Sequence, residues 1–198
     1  GIPFWLATNG KKPTWCPGGF VPLCPGQPQY IKITEDFTAA STVVATIPNT
    51  NVAPLALTQS VTVSGKPADC LVVDVDLQLN ITHSWMSELN VNLDHAGVSK
   101  VMFGALTAQG GICSSNTGYQ QILDDDATAA VTDCLNLTGA PTTRKKTQSG
   151  TSLNAFDGSV ANGAWTLAIQ DNLQPGNGSG TLNSWNVTGK CSYKRLTP

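Results

Sequence analysis

Between residues 71 and 85 the chain alternates with a period of two. Leu71, Val73, Val75, Leu77, Leu79, Ile81, His83 and Trp85 occupy the odd positions, and Val72, Asp74, Asp76, Gln78, Asn80, Thr82 and Ser84 the even ones. Successive side chains of a strand point to opposite faces, so the spacing predicts one long strand with its odd face in a core and its even face in water. A helix would scatter the same apolar residues around its circumference. Shorter runs repeat the theme: Leu89-Asn90-Val91-Asn92-Leu93, residues 100–103, Trp165-Thr166-Leu167-Ala168-Ile169 and residues 184–188. Clusters of Gly, Asn, Asp and Ser bound them, at residues 94–97, Asn162-Gly163 and 175–180, and these are turn formers. Many short strands, polar turns and no amphipathic helix predict an all-β sandwich, with the jelly roll as the expected topology.

A chain of 198 residues is long enough for one such domain with a core of native density. We place the sandwich at residues 58–198. Residues 1–57 form an N-terminal arm rich in Pro, Gly and Cys, together with one or more leading strands. In residues 1–29 the segments Cys16-Pro17-Gly18-Gly19 and Leu23-Cys24-Pro25-Gly26 stop both helix and sheet from propagating. Trp5 and Trp15 in this arm either cover an open end of the sandwich or dock on a neighbouring molecule. Residues 139–151, with Arg144-Lys145-Lys146 inside a Thr-rich stretch, read as an exposed loop, open to proteases or simply solvated.

Charged residues make up 12% of the chain, against about 25% in an ordinary soluble domain, and this points to an extracellular β protein. A net charge of -2 supplies no basic field for a phosphate backbone, so nucleic acid is not an expected partner. The apolar stretches are strand-length, short of the ~20 residues of a membrane-spanning helix. An opening of Gly1-Ile2-Pro3-Phe4, with no initiator Met and no apolar leader, reads as a processed N-terminus. Six cysteines without a C-x-x-C pair, and without histidines at zinc-finger spacing, read as disulfides formed in an oxidising compartment. They allow about fifteen pairings. The expected set is Cys16 with Cys24, Cys113 with Cys134, and Cys70 with Cys191, the last clamping the start of the long strand to the end of the final one. Sequons at Asn80, Asn136, Asn177 and Asn186 are candidate glycosylation sites in a eukaryotic secretory pathway.

Several separate motifs resemble one family when read in order. They are Asn80-Ile81-Thr82-His83-Ser84-Trp85 with Glu88-Leu89 and Leu93, then Leu123-Asp124-Asp125-Asp126-Ala127, then Phe156-Asp157-Gly158, then Asn162-Gly163-Ala164-Trp165-Thr166-Leu167, and last Gly180-Thr181-Leu182-Asn183-Ser184-Trp185. From about residue 58 to 190 this resembles the P domain that stands beside the catalytic domain in proprotein convertases and bacterial subtilisin-like proteases. The resemblance implies a jelly-roll sandwich akin to galactose-binding-like folds, and a role in stabilising a protease domain or contacting its substrates. The family usually has Asp where this chain has Glu88, and no catalytic domain accompanies the sandwich here. Trp85, Trp165 and Trp185 read mainly as packing residues.

Two groupings bear on chemistry. Gly150-Thr151-Ser152-Leu153-Asn154-Ala155 looks like the nucleophile segment of a subtilisin-like protease, but a nucleophilic serine needs a histidine base and a carboxylate behind it. Only His83, on the inward face of the long strand, and His95, in a turn, are available. We therefore expect no catalytic residue and no enzyme. The acidic run Asp124, Asp125 and Asp126 concentrates oxygen ligands of the kind Ca2+ prefers, and Glu88, Asp94, Asp157 and Asp171 could supply more from neighbouring loops. Calcium is the one cofactor considered.

The expected function is that of a secreted, non-catalytic binding or stabilising module that contacts a protein, either a protease domain or another copy of itself. One alternative is a carbohydrate-binding module for extracellular glycans, which would need Trp5, Trp15 or Tyr119 exposed beside amides and acids. Another is a structural subunit of an extracellular fibre or coat.

Overall fold

A computed structural model describes residues 30–49, 55–104, 118–130, 144–147, 152–172 and 179–196. Trp5, Trp15, Cys16, Cys24, Cys113, Cys134, Asn136 and Asn177 lie outside these residues. The chain divides into two compact units, Ile33–Tyr193 and Gly1–Lys32 with Lys194–Pro198. The first is the sandwich; the described part of the second is the outer ends of its first and last strands.

Eleven strands are described: β1 (Tyr30–Ser41), β2 (Ala45–Ile47), β3 (Ala56–Val63), β4 (Leu71–His83), β5 (Leu89–His95), β6 (Val98–Gly104), β7 (Gly118–Leu123), β8 (Ala129–Ala130), β9 (Arg144–Lys146), β10 (Gly163–Asp171) and β11 (Gly180–Leu196). A seven-stranded sheet runs β1-β11-β4-β7-β9-β8, with β2 also on β11, and a four-stranded sheet runs β3-β10-β5-β6. Between β3 and β7 the chain crosses from sheet to sheet at β3 to β4, β4 to β5 and β6 to β7, and it crosses again at β9 to β10 and at β10 to β11. That is the jelly roll, and the sheets do not close into a barrel. The main pairings are antiparallel; short β9 lies parallel to β7 and β8.

The core is the space between the sheets. Leu77, Leu79 and Ile81 of β4 face Leu93, Trp165, Leu167 and Ile169 across it, with Trp185 and Val187 from β11. Trp165 and Trp185 are fully buried, and each indole N–H is satisfied, by Ala161 O at 3.4 Å and by Gln59 Oε1 at 3.2 Å. Gln59 sits on β3, the edge of the small sheet. It also takes the Ser41 hydroxyl and donates to Val43 O, so one amide ties the two sheets together. The β5–β6 turn has positive φ at both central residues, 50° at Ala96 and 81° at Gly97, the geometry of a two-residue hairpin that follows strand twist.

Four expectations fail, two of them along β4. The register of β4 against β11 slips between Lys190 and Cys191, leaving Val73 as the extra residue of a β-bulge. The bulge reverses the faces, so that Val72 is buried while Leu71 and Val73 are exposed. Trp85 lies past the end of β4, beside the short 3-10 turn Met86–Glu88, and is 40% exposed. Arg144-Lys145-Lys146 is strand β9 and not part of a loop. Tyr119 is buried against Phe103, at 5.1 Å between ring centroids, and offers no stacking surface.

Cys70 is bonded to Cys191 across 121 residues of sequence, beside the bulge and fully buried. Constraining a loop of that length in the unfolded chain is worth about 5 kcal/mol in the chain-entropy model. The Cys70→Ser/Cys191→Ser variant is expected to lose about 2–5 kcal/mol in urea unfolding, and a loss under about 1 kcal/mol would show that the bond adds little.

Candidate functional site

Polar chemistry gathers at the two ends of β4. At its start, the even face of β4 presents Asp74 and Asp76 on the outer surface of the large sheet, and β7 ends nearby in Asp124, Asp125 and Asp126. A shallow cavity of about 490 Å³ opens here, with Asp36, Lys66, Asp74, Asp76 and Lys190 in its lining. Arg144 on β9 reaches both sides of the acidic group, donating to Asp76 Oδ2 at 2.7 Å and to Asp124 Oδ2 at 2.9 Å. Burial raises the Asp76 carboxyl above its ordinary range, with Arg144 pulling the other way and Asp124 and Asp74 adding to the rise. Asp157 is raised too, by burial first and then by Asp74 and Asp125.

The remaining carboxylate oxygens of the run organise backbone. Asp124 Oδ1 accepts the Asp126 amide at 2.8 Å, the short side-chain turn that Asp forms readily. Asp125 accepts the hydroxyls of Thr147 and Ser152 and the Asn154 amide, so it pins the approach to the Leu153–Phe156 turn. The Ser152 hydroxyl is thus bound to a carboxylate and not to a histidine.

Glu88 is at the other end. β4 pairs with β7 from Leu77↔Leu123 to Thr82↔Gly118, which puts the acidic run at one end of the ladder and residues 83–88 at the other. The acidic run and Glu88, expected to share a calcium, are therefore not brought together, because β7 runs antiparallel to β4 and ends at its far side. Among the described residues no group of three His, Cys, Asp or Glu side chains is placed to hold a metal. Asp124 and Asp125 spend their oxygens on protein donors, so this donor set does not fit a calcium cage.

What lies beside Glu88 is a buried polar pair that sequence reading did not bring together. His83 and Asp171 are both fully buried, with Nε2 and Oδ2 3.4 Å apart. The Trp85 amide donates to His83 Nδ1 at 3.0 Å, so a ring proton belongs on Nε2, facing Asp171. Any side chain at Gly180 would collide with the His83 ring, and the glycine makes this close approach possible. Burial raises the Glu88 carboxyl above its ordinary value, Asp171 adds to the rise and His83 opposes it. The sequence signal was an inward-facing His on an otherwise aliphatic face, but its partner is 88 positions away on β10.

Of the sequons, Asn80 and Asn186 stand in mid-strand on the outer face of the large sheet. Asn80 Oδ1 accepts from Asn183 at 3.2 Å and Asn186 donates to Gln78 at 3.0 Å, forming part of an amide ladder across β4 and β11.

These features define a disulfide-clamped jelly-roll sandwich whose polar groups are largely bonded to one another. A model of the proprotein convertase P-domain family matches residues 134–188, and the chain carries a P-domain-like module. Among solved structures, the serine protease of Aeromonas sobria in complex with its chaperone matches at 14% identity and a TM-score of 0.42. The same protease in a second crystal structure matches at 17% identity and 0.41. Each covers 83% of this chain, which spans only 27% and 28% of theirs. No curated protein matches.

Two outcomes follow. Arg144→Met leaves Asp76 and Asp124 facing each other without their shared cation and is expected to cost about 1–2 kcal/mol in urea unfolding, a moderate figure because the guanidinium is half exposed. Equal stability with and without the guanidinium would refute the bridging role. For Glu88 the raised folded pKa means that the native state holds its proton above the unfolded value of 4.5, so this group's contribution to stability falls as pH rises through that range. Glu88→Gln should melt like the wild type below pH 4.5 and above it at neutral pH. A gap that does not change with pH would count against this.

Proposed function

We propose that the chain is a secreted, non-catalytic module that binds and stabilises a protein partner as a protease P domain does, the partner being a subtilisin-like catalytic domain. The match of residues 134–188 to the convertase P-domain family is the observation that carries this reading. Such domains are accessories of proteases, and the site geometry is consistent with the absence of catalysis. The Ser152 hydroxyl is held by Asp125, His83 is enclosed with Asp171, and both ring nitrogens of His95 face backbone carbonyls. A nucleophile–base pair does not assemble among the described residues. Among those residues no helix is long and apolar enough to cross a membrane, and the Cys70–Cys191 bond suits an oxidising, extracellular setting.

A subtilisin-like catalytic domain from the same organism, mixed with the module at a hundred times its Kd, is expected to gain about 2.7 kcal/mol of stability by mass action, read as a raised melting temperature. A catalytic domain that melts identically with and without the module, while the module is retained by immobilised glycans or forms oligomers alone, would overturn the reading.

A further inference from the structure

Asn162 and Gly163 stand where β10 begins, and each is fixed there by a separate requirement. The Asn162 side chain acts as a stretch of backbone: its Oδ1 accepts the Lys66 amide at 3.1 Å and its Nδ2 donates to Lys66 O at 2.6 Å. One amide thus clamps the turn between β3 and β4 to the start of β10, and the Lys66 ammonium, 3.4 Å from Glu35 Oε2, links the same turn to β1. Gly163 has φ +124°, a conformation that L side chains rarely adopt, although the nearest atom to a Cβ built there is 3.7 Å away. Backbone conformation, and not lack of room, calls for glycine at this position. An Asn followed by glycine is also the pair most open to attack on its own side chain, because no Cβ shields the glycine nitrogen.

We infer that Asn162 is a self-modification site, an amide that the fold both requires and guards, and that deamidates only when the Lys66 clamp opens. In the reaction the Gly163 amide nitrogen bonds to Asn162 Cγ as the Cγ–Nδ2 bond breaks. Nδ2 leaves as ammonia, carrying the proton that the Gly163 nitrogen gives up, and a five-membered succinimide remains. Water then adds to either imide carbonyl and opens the ring to aspartate or isoaspartate, so the net change is water taken up and ammonia released. While the clamp is closed, both ends of the amide are tied to Lys66, and Cγ is not free to turn onto the Gly163 nitrogen. Opening of the turn around Lys66 frees it. The product does not clamp, because a carboxylate oxygen replaces the Nδ2 donor and faces the Lys66 carbonyl, two acceptors where a 2.6 Å hydrogen bond now stands. Isoaspartate also adds a backbone carbon where β10 starts its pairing with β3, at Gly163↔Val63. A chain that has once opened here therefore does not close again in the same way, and conversion records local unfolding at this end of the sandwich.

The sequence supplies its own reference sites, since Asn9-Gly10 and Asn177-Gly178 are the other two Asn-Gly pairs. The wild-type full chain is incubated at mildly alkaline pH, folded and in concentrated urea, and the loss of each amide is followed by peptide mass mapping. In urea, Asn162 should convert as fast as the other two pairs. In the folded chain it should convert at least about tenfold more slowly than in urea, and sub-denaturing urea should speed it in step with amide exchange at Lys66. Converted protein, separated by its added negative charge, should exchange the Lys66 amide about tenfold faster than unconverted protein. Equal rates at Asn162 in the folded and unfolded chain would overturn the inference, and so would a converted chain with unchanged exchange at Lys66. Slow conversion of Asn162 in urea as well would place its resistance in the local sequence and overturn the guarding role. Every readout starts from the wild-type sequence, so none depends on a variant that folds.

Discussion

The fold depends on β4. It is hydrogen-bonded to β11 on one side and β7 on the other, it supplies the aliphatic wall of the core, and both polar clusters hang from its ends. A strand paired on both edges and buried on one face has a single tolerable register, since a slip of one residue would drive Leu77, Leu79 and Ile81 into water and Gln78 and Asn80 into the core. The β4–β11 pairing shifts between Leu182 and Ser184, and it gives way again at the Val73 bulge. There the Cys70–Cys191 bond ties the start of β4 to β11, and the segment through Val160 is bonded to residues 70–72.

The charged and polar groups divide along the same strand. At its start, Arg144 bridges Asp76 and Asp124 while Asp125 collects donors from Thr147, Ser152 and Asn154. At its end, His83, Asp171 and Glu88 form a nearly dry cluster under the 3-10 turn. In both places residue types used elsewhere for catalysis or ion binding are spent on closing the ends of a sandwich, where backbone would otherwise lack partners.

Much of this could be read from the residues. The alternation through Leu77, Leu79 and Ile81 located the central strand, and the shorter runs located β5, β6 and β10, because burial on one face leaves a period that needs no tertiary information. The bulge could not be read, since Val72 and Val73 are equally apolar and only the register with β11 decides which turns inward. Trp85 was misplaced for the related reason that a strand's end is set by the next turn and not by the alternation. The acidic run was visible, but whether its oxygens face an ion or a guanidinium depends on β9, which pairs in parallel from far along the chain. His83 and Asp171 are likewise a contact between distant strands, and no local pattern announces it.

β4 is the spine on which the packing of the sandwich depends, and native-state hydrogen exchange tests this most directly. The amides of β4 from Leu77 to Ile81 should exchange only through global unfolding, with the same denaturant dependence as those of β10 in the opposite sheet. Exchange of the β4 amides through a separate, lower-energy opening, while β10 remains protected, would contradict it.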